Sequence, residues 1–216
     1  MSETTAERPS AYRTMAYSHA ALARLNLSAQ AAGIADAARD MVPTTADRHG
    51  AEGELVRDAA SLVEAAGLLL EQAVVCERIK GTGWDRIADA LGHAGGQAAR
   101  ERFERAERDF RLRALDAWLR PERAGEVLAT PDDLARVVAR LTAWTLERLG
   151  DAYGDEPVSG GLAPMGLAER AELAATAHDL VSRVSDPAQR ADLETALQRR
   201  LAELREEGGT VRQGPD

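Results

Sequence analysis

Two polar side chains near the middle of the chain, Gln97 and Arg100, have the types and spacing of a base-reading pair. They lie in residues 81–103, which read GTGWDRIADALGHAGGQAARERF. On one helix face, a glutamine amide can bond to adenine at two points, and an arginine guanidinium can do the same with guanine. Such chemistry requires a helix in the major groove of DNA. The chain as a whole has a formal net charge of −9, which is the wrong sign for a polyanionic partner.

Several neighbours of this pair are further candidates. Arg102 and the flanking basic residues would bind phosphates, and His93 could reach a phosphate from the turn. Glu101 could accept a hydrogen bond from cytosine or could repel phosphate. The candidate DNA-binding residues are Lys80, Arg86, His93, Gly96, Gln97, Arg100, Glu101 and Arg102. The alternative interpretation is that they are solvated residues on a degenerate helical hairpin.

The pattern around these residues predicts two short helices that cross. Thr82 and Asp85 fit a capping box at the start of the first helix, and Gly92 stands where that helix should end in a left-handed conformation. Ala88 is small enough for the second helix to cross close to it. The inward residues are expected to be Ile87, Ala88 and Leu91 on the first helix, and Ala98, Ala99 and Phe103 on the second. This arrangement is typical of a helix-turn-helix over residues 82–104.

The same residues resemble a known group of proteins. GTGWDRIADALG followed by QAARERF is similar to a motif of small actinobacterial helix-turn-helix proteins, related in shape to region 4 of sigma factors. The resemblance covers roughly residues 62–150 and implies DNA binding, without a target sequence. The chain departs from the group at residues 93–96, His-Ala-Gly-Gly, where an apolar residue, a Ser or Thr and a basic residue are common. Gly95 and Gly96 also discourage a firm helix start.

Charge is unevenly distributed along the chain. Residues 77–123 carry eleven basic and nine acidic residues, whereas both flanks are net negative. Four acid-first pairs at i,i+4 are predicted to occupy arginines locally: Glu101–Arg105, Glu104–Arg108, Glu107–Arg111 and Asp109–Arg113. Five cations are then expected to stay free: Arg78, Lys80, Arg86, Arg100 and Arg102. Five phosphate contacts give weak binding per copy, so we expect a homodimer, in solution or on DNA.

Other chemistry finds little support in the sequence. The single cysteine, Cys76, excludes an internal disulfide and is expected to be buried and inert. The four histidines are dispersed without metal-ligand spacing, and the glycines of residues 92–96 lack the lysine of a phosphate-binding loop. We therefore expect no enzymatic activity, no cofactor, no metal site and no small-molecule ligand.

The elements that must position these residues are helical throughout. We predict an all-α bundle of about seven helices. Its expected organisation is a disordered N-terminus (1–10), a helical domain (11–150), a Gly- and Pro-rich linker (151–166), a C-terminal helical hairpin (167–206) and a disordered tail (207–216). Residues 130–133, Thr-Pro-Asp-Asp, predict a helix start.

Two apolar stripes in this organisation could mediate assembly. The helix predicted over 54–80 has a wide apolar face, which is expected to be covered by at least two neighbours, with a self-associating coiled coil as the alternative. The residues Leu193, Leu197, Leu201 and Leu204 are the candidate dimer seam, with an intramolecular hairpin as the alternative.

Together these features predict a cytoplasmic DNA-binding protein, a transcriptional regulator that reads the major groove with residues 96–103. No apolar window is long enough for a membrane span, and no secretory signal precedes the first helix. The alternative function is a protein-interaction or scaffolding module, in which the helix-turn-helix is only a packing motif.

Overall fold

A computed structural model describes residues 17–42, 50–92, 95–120, 127 and 134–210, with the backbone alone from 207 onward. Within this part of the chain the structure is all-α, as predicted. Its helices are α1 (His19–Asp40), α2 (Glu54–Ile79), α3 (Trp84–Leu91), α4 (Gly96–Leu119), α5 (Leu134–Leu149), α6 (Leu167–Ser182) and α7 (Pro187–Thr210). The predicted helix start at 130–133 and the predicted disordered N-terminus lie outside the described residues.

Helices α1 and α2 form a long hairpin. The hydroxyl of Ser18 caps α1 by accepting the N–H of Ala21 at 3.1 Å, and Gly33 does not interrupt the helix. Asn26, which is buried, donates its amide to Gln72 Oε1 at 2.7 Å across the hairpin. Since a buried amide without a partner is costly, this bond helps to set the register of the two helices.

The apolar face of α2 is fully buried only near its C-terminal end, whereas the sequence predicted that neighbours cover it throughout. The buried residues of this helix are Val74, Val75 and Cys76. Farther toward the N-terminus, Val56 and Val63 are each 73% exposed, and Leu55 and Leu68 are about half exposed. Over this first half, α1 lies along the side of α2 that carries Leu62 and Ala65. The apolar edge with Val56 and Val63 is not covered by any element of the described structure.

The main core lies where α1, the end of α2, the middle of α4 and α5 meet. Phe110 and Val137 are among its fully buried side chains. At the edge of this core, Asp36 of α1 accepts hydrogen bonds from the Trp144 indole at 3.1 Å and from Arg148 at 2.7 Å. These contacts attach α5 to α1.

Residues 151–166, the predicted linker, contact the rest of the protein near their C-terminal end. The segment contains two 3-10 turns, at Gly150–Tyr153 and Ser159–Gly161. Its end is held by a bridge between Tyr17 and Pro164 and by the N–H of Ser18, which donates to the Ala163 carbonyl at 3.0 Å. Met165 is buried in the C-terminal core.

Helices α6 and α7 pack on each other and on the end of α4. Their shared core includes Leu115, Trp118 and Leu119 of α4, and Arg200 of α7 donates to the Trp118 carbonyl at 2.6 Å. The four leucines Leu193, Leu197, Leu201 and Leu204, here called the α7 stripe, all contribute to this core. The stripe is therefore an intramolecular contact and not a free dimer seam. Helix α7 also continues to Thr210, past the predicted start of a disordered tail at 207.

Candidate nucleic-acid interface

A small apolar core joins α3, the first turns of α4 and the end of α2. Ala88 and Ala99 are fully buried in it, together with Ile87, Phe103 and Val74. Because both alanines are small, α3 and α4 approach closely, as the sequence predicted. The exception is Ala98, which was expected to face inward and is exposed. Its position places it on the outward side of α4.

The junction between α3 and α4 depends on two glycines. Gly92 ends α3 in the left-handed conformation, with φ of +70°, as predicted. Gly96 is buried, and a Cβ built on it would lie 2.4 Å from Asp85 Oδ1 and 2.9 Å from the Asp85 backbone nitrogen. Any larger residue would therefore push the two helices apart. His93, the candidate contact in the turn, lies outside the described residues.

The predicted capping box at Thr82 and Asp85 is not formed. Gly83 is the N-cap of α3, without a side-chain bond to the helix. The Thr82 hydroxyl instead donates to Glu77 Oε2 at 2.8 Å. The Asp85 carboxylate accepts the N–H of Gly96 at 3.1 Å and so caps α4. Gly96 consequently positions α4, and its N–H is already occupied.

Arg78 connects three elements and is not the free cation that the sequence suggested. Its Nε donates to Glu107 Oε2 at 3.0 Å, and its Nη1 donates to the Thr82 carbonyl at 2.6 Å. The guanidinium also lies 4.5 Å from the centre of the Trp84 ring. Glu107 is buried and accepts a second bond, from Arg111 at 2.9 Å. Sequence periodicity placed Glu107 and Arg111 together but gave no sign of Arg78.

On the outward side of α4, the two predicted base-reading residues are exposed and have partners. Gln97 donates to Glu101 Oε1 at 2.8 Å. Arg100, expected to be unpaired, donates to Glu104 Oε1 at 2.8 Å. This pair raises the pKa of Arg100 and lowers the pKa of Glu104, chiefly through the hydrogen bond between them. Both side chains would have to leave these local partners to reach a base.

The predicted ion pairs along α4 are formed only in part. Glu107 pairs with Arg111, as expected. Arg105, however, lies 3.6 Å from Asp109 and not near Glu101, and its side chain is 85% exposed. Acid-first order is a preference of a few tenths of a kcal/mol, so local rotamers can reverse it. Sequence reasoning therefore missed Arg105 as an outward-facing cation.

Four arginines of α3 and α4 have no ion-pair partner among the described residues. Arg86, Arg102 and Arg108 are exposed, whereas Arg113, the predicted partner of Asp109, is half-buried farther along α4, and its Nε has no hydrogen-bond partner. Arg102 lies 4.9 Å from the Phe103 ring centre. Lys80 is instead paired with Glu77 at 3.2 Å. Hydrogen bonds from Thr82 first, and then from Lys80, hold the pKa of Glu77 below its usual value. The candidate surface thus carries three unpaired cations, and Lys80 has its charge locally offset.

In the described part of the chain, no group of three or more His, Cys, Asp or Glu side chains is arranged to hold a metal ion. The chain matches no protein-family model, and no curated protein or solved structure is similar enough to count as a match. What this surface can bind has to be inferred from its own geometry and charge.

Proposed function

We propose that this chain binds double-stranded DNA as a helix-turn-helix protein, with the first turns of α4 in the major groove, and acts as a cytoplasmic transcriptional regulator. The close crossing of α3 and α4 at the buried Ala88 and Ala99 is the observation that carries the proposal. It supports α4 from behind while the outward side of its first turns stays exposed. That is the support a reading helix needs.

The exposed residues can be given separate roles. Arg86 on α3 and Arg102 on α4 are exposed and have no ion-pair partner in the described structure, so they can bind phosphates without breaking a local bond. Gln97 suits adenine and Arg100 suits guanine once it releases Glu104. Glu101 holds Gln97 in the free protein and can accept from cytosine in the complex.

The charge balance predicts how strong the binding will be. With a net charge of −9 on the chain and few unpaired cations at the surface, each copy neutralises only a few phosphates. We expect weak binding at physiological salt and a steep gain as salt is lowered. Two copies acting together would add their phosphate contacts.

The test is fluorescence anisotropy on labelled genomic fragments, including the region upstream of the coding sequence, over a salt series. Arg102→Ala should weaken binding on all fragments and reduce the slope of log K against log salt by about one. Arg199→Ala, an exposed arginine on α7, is the matched control and should behave as the parent. If Arg102→Ala and Arg199→Ala bind equally well, α4 does not contact DNA.

A second candidate function is a helical protein-interaction module. The observation that favours it is the uncovered apolar face of α2, where Val56 and Val63 are exposed. Absence of DNA binding even at the lowest salt, on every fragment, would leave this function as the better explanation of the fold.

A further inference from the structure

Four residues on the first half of α2 form an uncovered apolar surface: Val56, Ala60, Val63 and Gly67, here called the α2 stripe. All four are exposed. Their spacing of four, three and four residues places them on one side of the helix. The same line continues to Leu70 and Val74, which contact the core of α3 and α4. One half of a single apolar line is thus packed, and the other half faces solvent.

We propose that a second copy of this chain covers the α2 stripe, with the two α2 helices antiparallel. This inference does not rest on DNA binding. With the two-fold axis between residues 61 and 62, Val56 of one copy lies over Gly67 of the other, and Ala60 lies over Val63. Each of these contacts then pairs a larger residue with a smaller one, as close helix packing requires.

The space for a partner helix is present. A Cβ placed on Gly67 would meet no atom within 4 Å. Contiguous apolar surface of this kind on a monomer usually marks an interaction site. Gly67 weakens an isolated helix, but as a contact position it allows the backbone of a second helix to approach.

The charges beside the stripe select the antiparallel orientation. Arg57 and Glu64 lie on the same flank, and neither has an ion-pair partner among the residues that the structure describes. An antiparallel pair brings equal flanks together, so Arg57 of each copy lies near Glu64 of the other. In a parallel pair, the flank with Arg57 and Glu64 would face the other flank of the second copy. That flank carries Ala59 and Ala66, so no attractive charge pairs would form.

A lipid surface fits the stripe less well than a second copy. Within the described residues, α2 is the helix long and apolar enough to cross a membrane by length and composition, and only 17% of its apolar window is buried. The flank of the stripe, however, carries Glu64 and Glu71 against the single basic Arg57. Amphipathic helices that bind anionic membranes are flanked by basic residues, because acidic ones are repelled.

The expected dimer is a weak one. The stripe spans about 20 Å of helix. A contact of this length is too short to bury the roughly 800 Å² per partner of a standard interface. We therefore expect a dimer that dissociates on dilution.

Sedimentation velocity on the full chain over a wide concentration range tests the proposal. The parent should pass from monomer to dimer as concentration rises, and Val63→Glu should stay monomeric with unchanged circular dichroism. Leu149→Glu, which changes an exposed leucine at the end of α5, is the matched control and should dimerise as the parent does. A parent that is monomeric at all concentrations, or a Val63→Glu variant that still dimerises, overturns the inference.

A charge exchange tests the orientation. Arg57→Glu should raise the dimer Kd by about tenfold, because two attractive pairs become repulsive, and adding Glu64→Arg should restore it. If the single change has no effect, the antiparallel arrangement is wrong. Flotation with vesicles of phosphatidylcholine and phosphatidylglycerol covers the membrane alternative: if a monomeric parent floats and Val63→Glu does not, lipid and not a second copy is the occupant.

Discussion

Helices α2 and α7 both carry apolar residues at a spacing of three and four, yet the two stripes are in opposite environments. The α7 stripe packs on α6 and on the end of α4, so that Leu197 is only 2% exposed. The α2 stripe has no such neighbours, and Val63 is 73% exposed. The comparison shows that a periodic apolar pattern indicates which side of a helix can pack against another element. Whether another part of the same chain covers that side depends on the remaining elements of the fold.

The largest effect on the free energy of unfolding is expected in the α7 stripe, which packs in the C-terminal core. Leu197→Ala should lower the free energy of unfolding by about 2–5 kcal/mol, because a cavity forms between α6, α7 and α4. Urea denaturation followed by circular dichroism measures this. Gln198→Ala, at the exposed neighbouring position, is the control. A loss of the same small size in both variants would mean that the α7 stripe is not packed in solution.

A pH effect tests whether the first residue of α1 is buried. The His19 side chain is buried, and burial followed by the charge of Arg111 lowers its pKa to about 4. Between about pH 6.5 and pH 4 the unfolded chain binds a proton here that the folded chain does not. Stability should therefore fall as pH falls through this window, by up to about 3 kcal/mol.

Urea denaturation at about pH 7 and about pH 4.5 isolates this contribution when the parent is compared with two variants. His19→Phe should lose this part of the pH dependence, and His178→Gln, at an exposed position, should keep it. An unchanged pH dependence in His19→Phe would mean that the imidazole of His19 is not buried.

The small apolar core that joins the end of α2 to α3 and α4 should be sensitive to a larger side chain. Ala88 is fully buried where α3 crosses α4, close to Val74. Ala88→Leu should cost about 1–3 kcal/mol by overpacking this crossing. Ala90→Leu, on the exposed side of the same helix, should leave the melting temperature near that of the parent. Equal melting temperatures for all three proteins would show that the helices do not cross there.

The smallest effect on the free energy of unfolding is expected in the exposed α2 stripe. Val63→Ala should change the free energy of unfolding of the monomer by no more than about 0.5 kcal/mol, since the side chain is already in water. The measurement is urea denaturation in dilute protein, repeated at high concentration. A loss of several kcal/mol in the dilute sample would mean that part of this chain covers the stripe.

Local features of the fold were predictable from sequence, and long-range ones were not. Gly92 and Ala88 were assigned correctly because a left-handed helix end and a close crossing each demand a particular residue type. The bond from Gly96 to Asp85, and the bond from Arg78 to Glu107, were missed because they join residues eleven or more positions apart. The exposure of Val63 was missed because periodicity contains no information on whether a neighbour exists.

Ion pairs along α4 illustrate a second limit. Glu104 has one arginine four residues before it, Arg100, and another four residues after it, Arg108, and the energies of the two pairings differ by a few tenths of a kcal/mol. The pairing of Arg100 with Glu104 could not be separated from its alternatives at that level. The sequence identified the candidate surface, but the cations left unpaired on it depend on side-chain geometry.

The attachment of α1 to residues 163–169 has a consequence for the order of folding. The N–H of His19 finds its acceptor 150 positions later in the chain, and Ser18 binds the carbonyl of Ala163. During synthesis this attachment of the first turn of α1 must therefore wait until most of the protein has left the ribosome. Contacts of such high sequence separation slow folding, since a long loop must close before they form. The α3–α4 pair, whose contacts are local, can form before α1 has made these contacts.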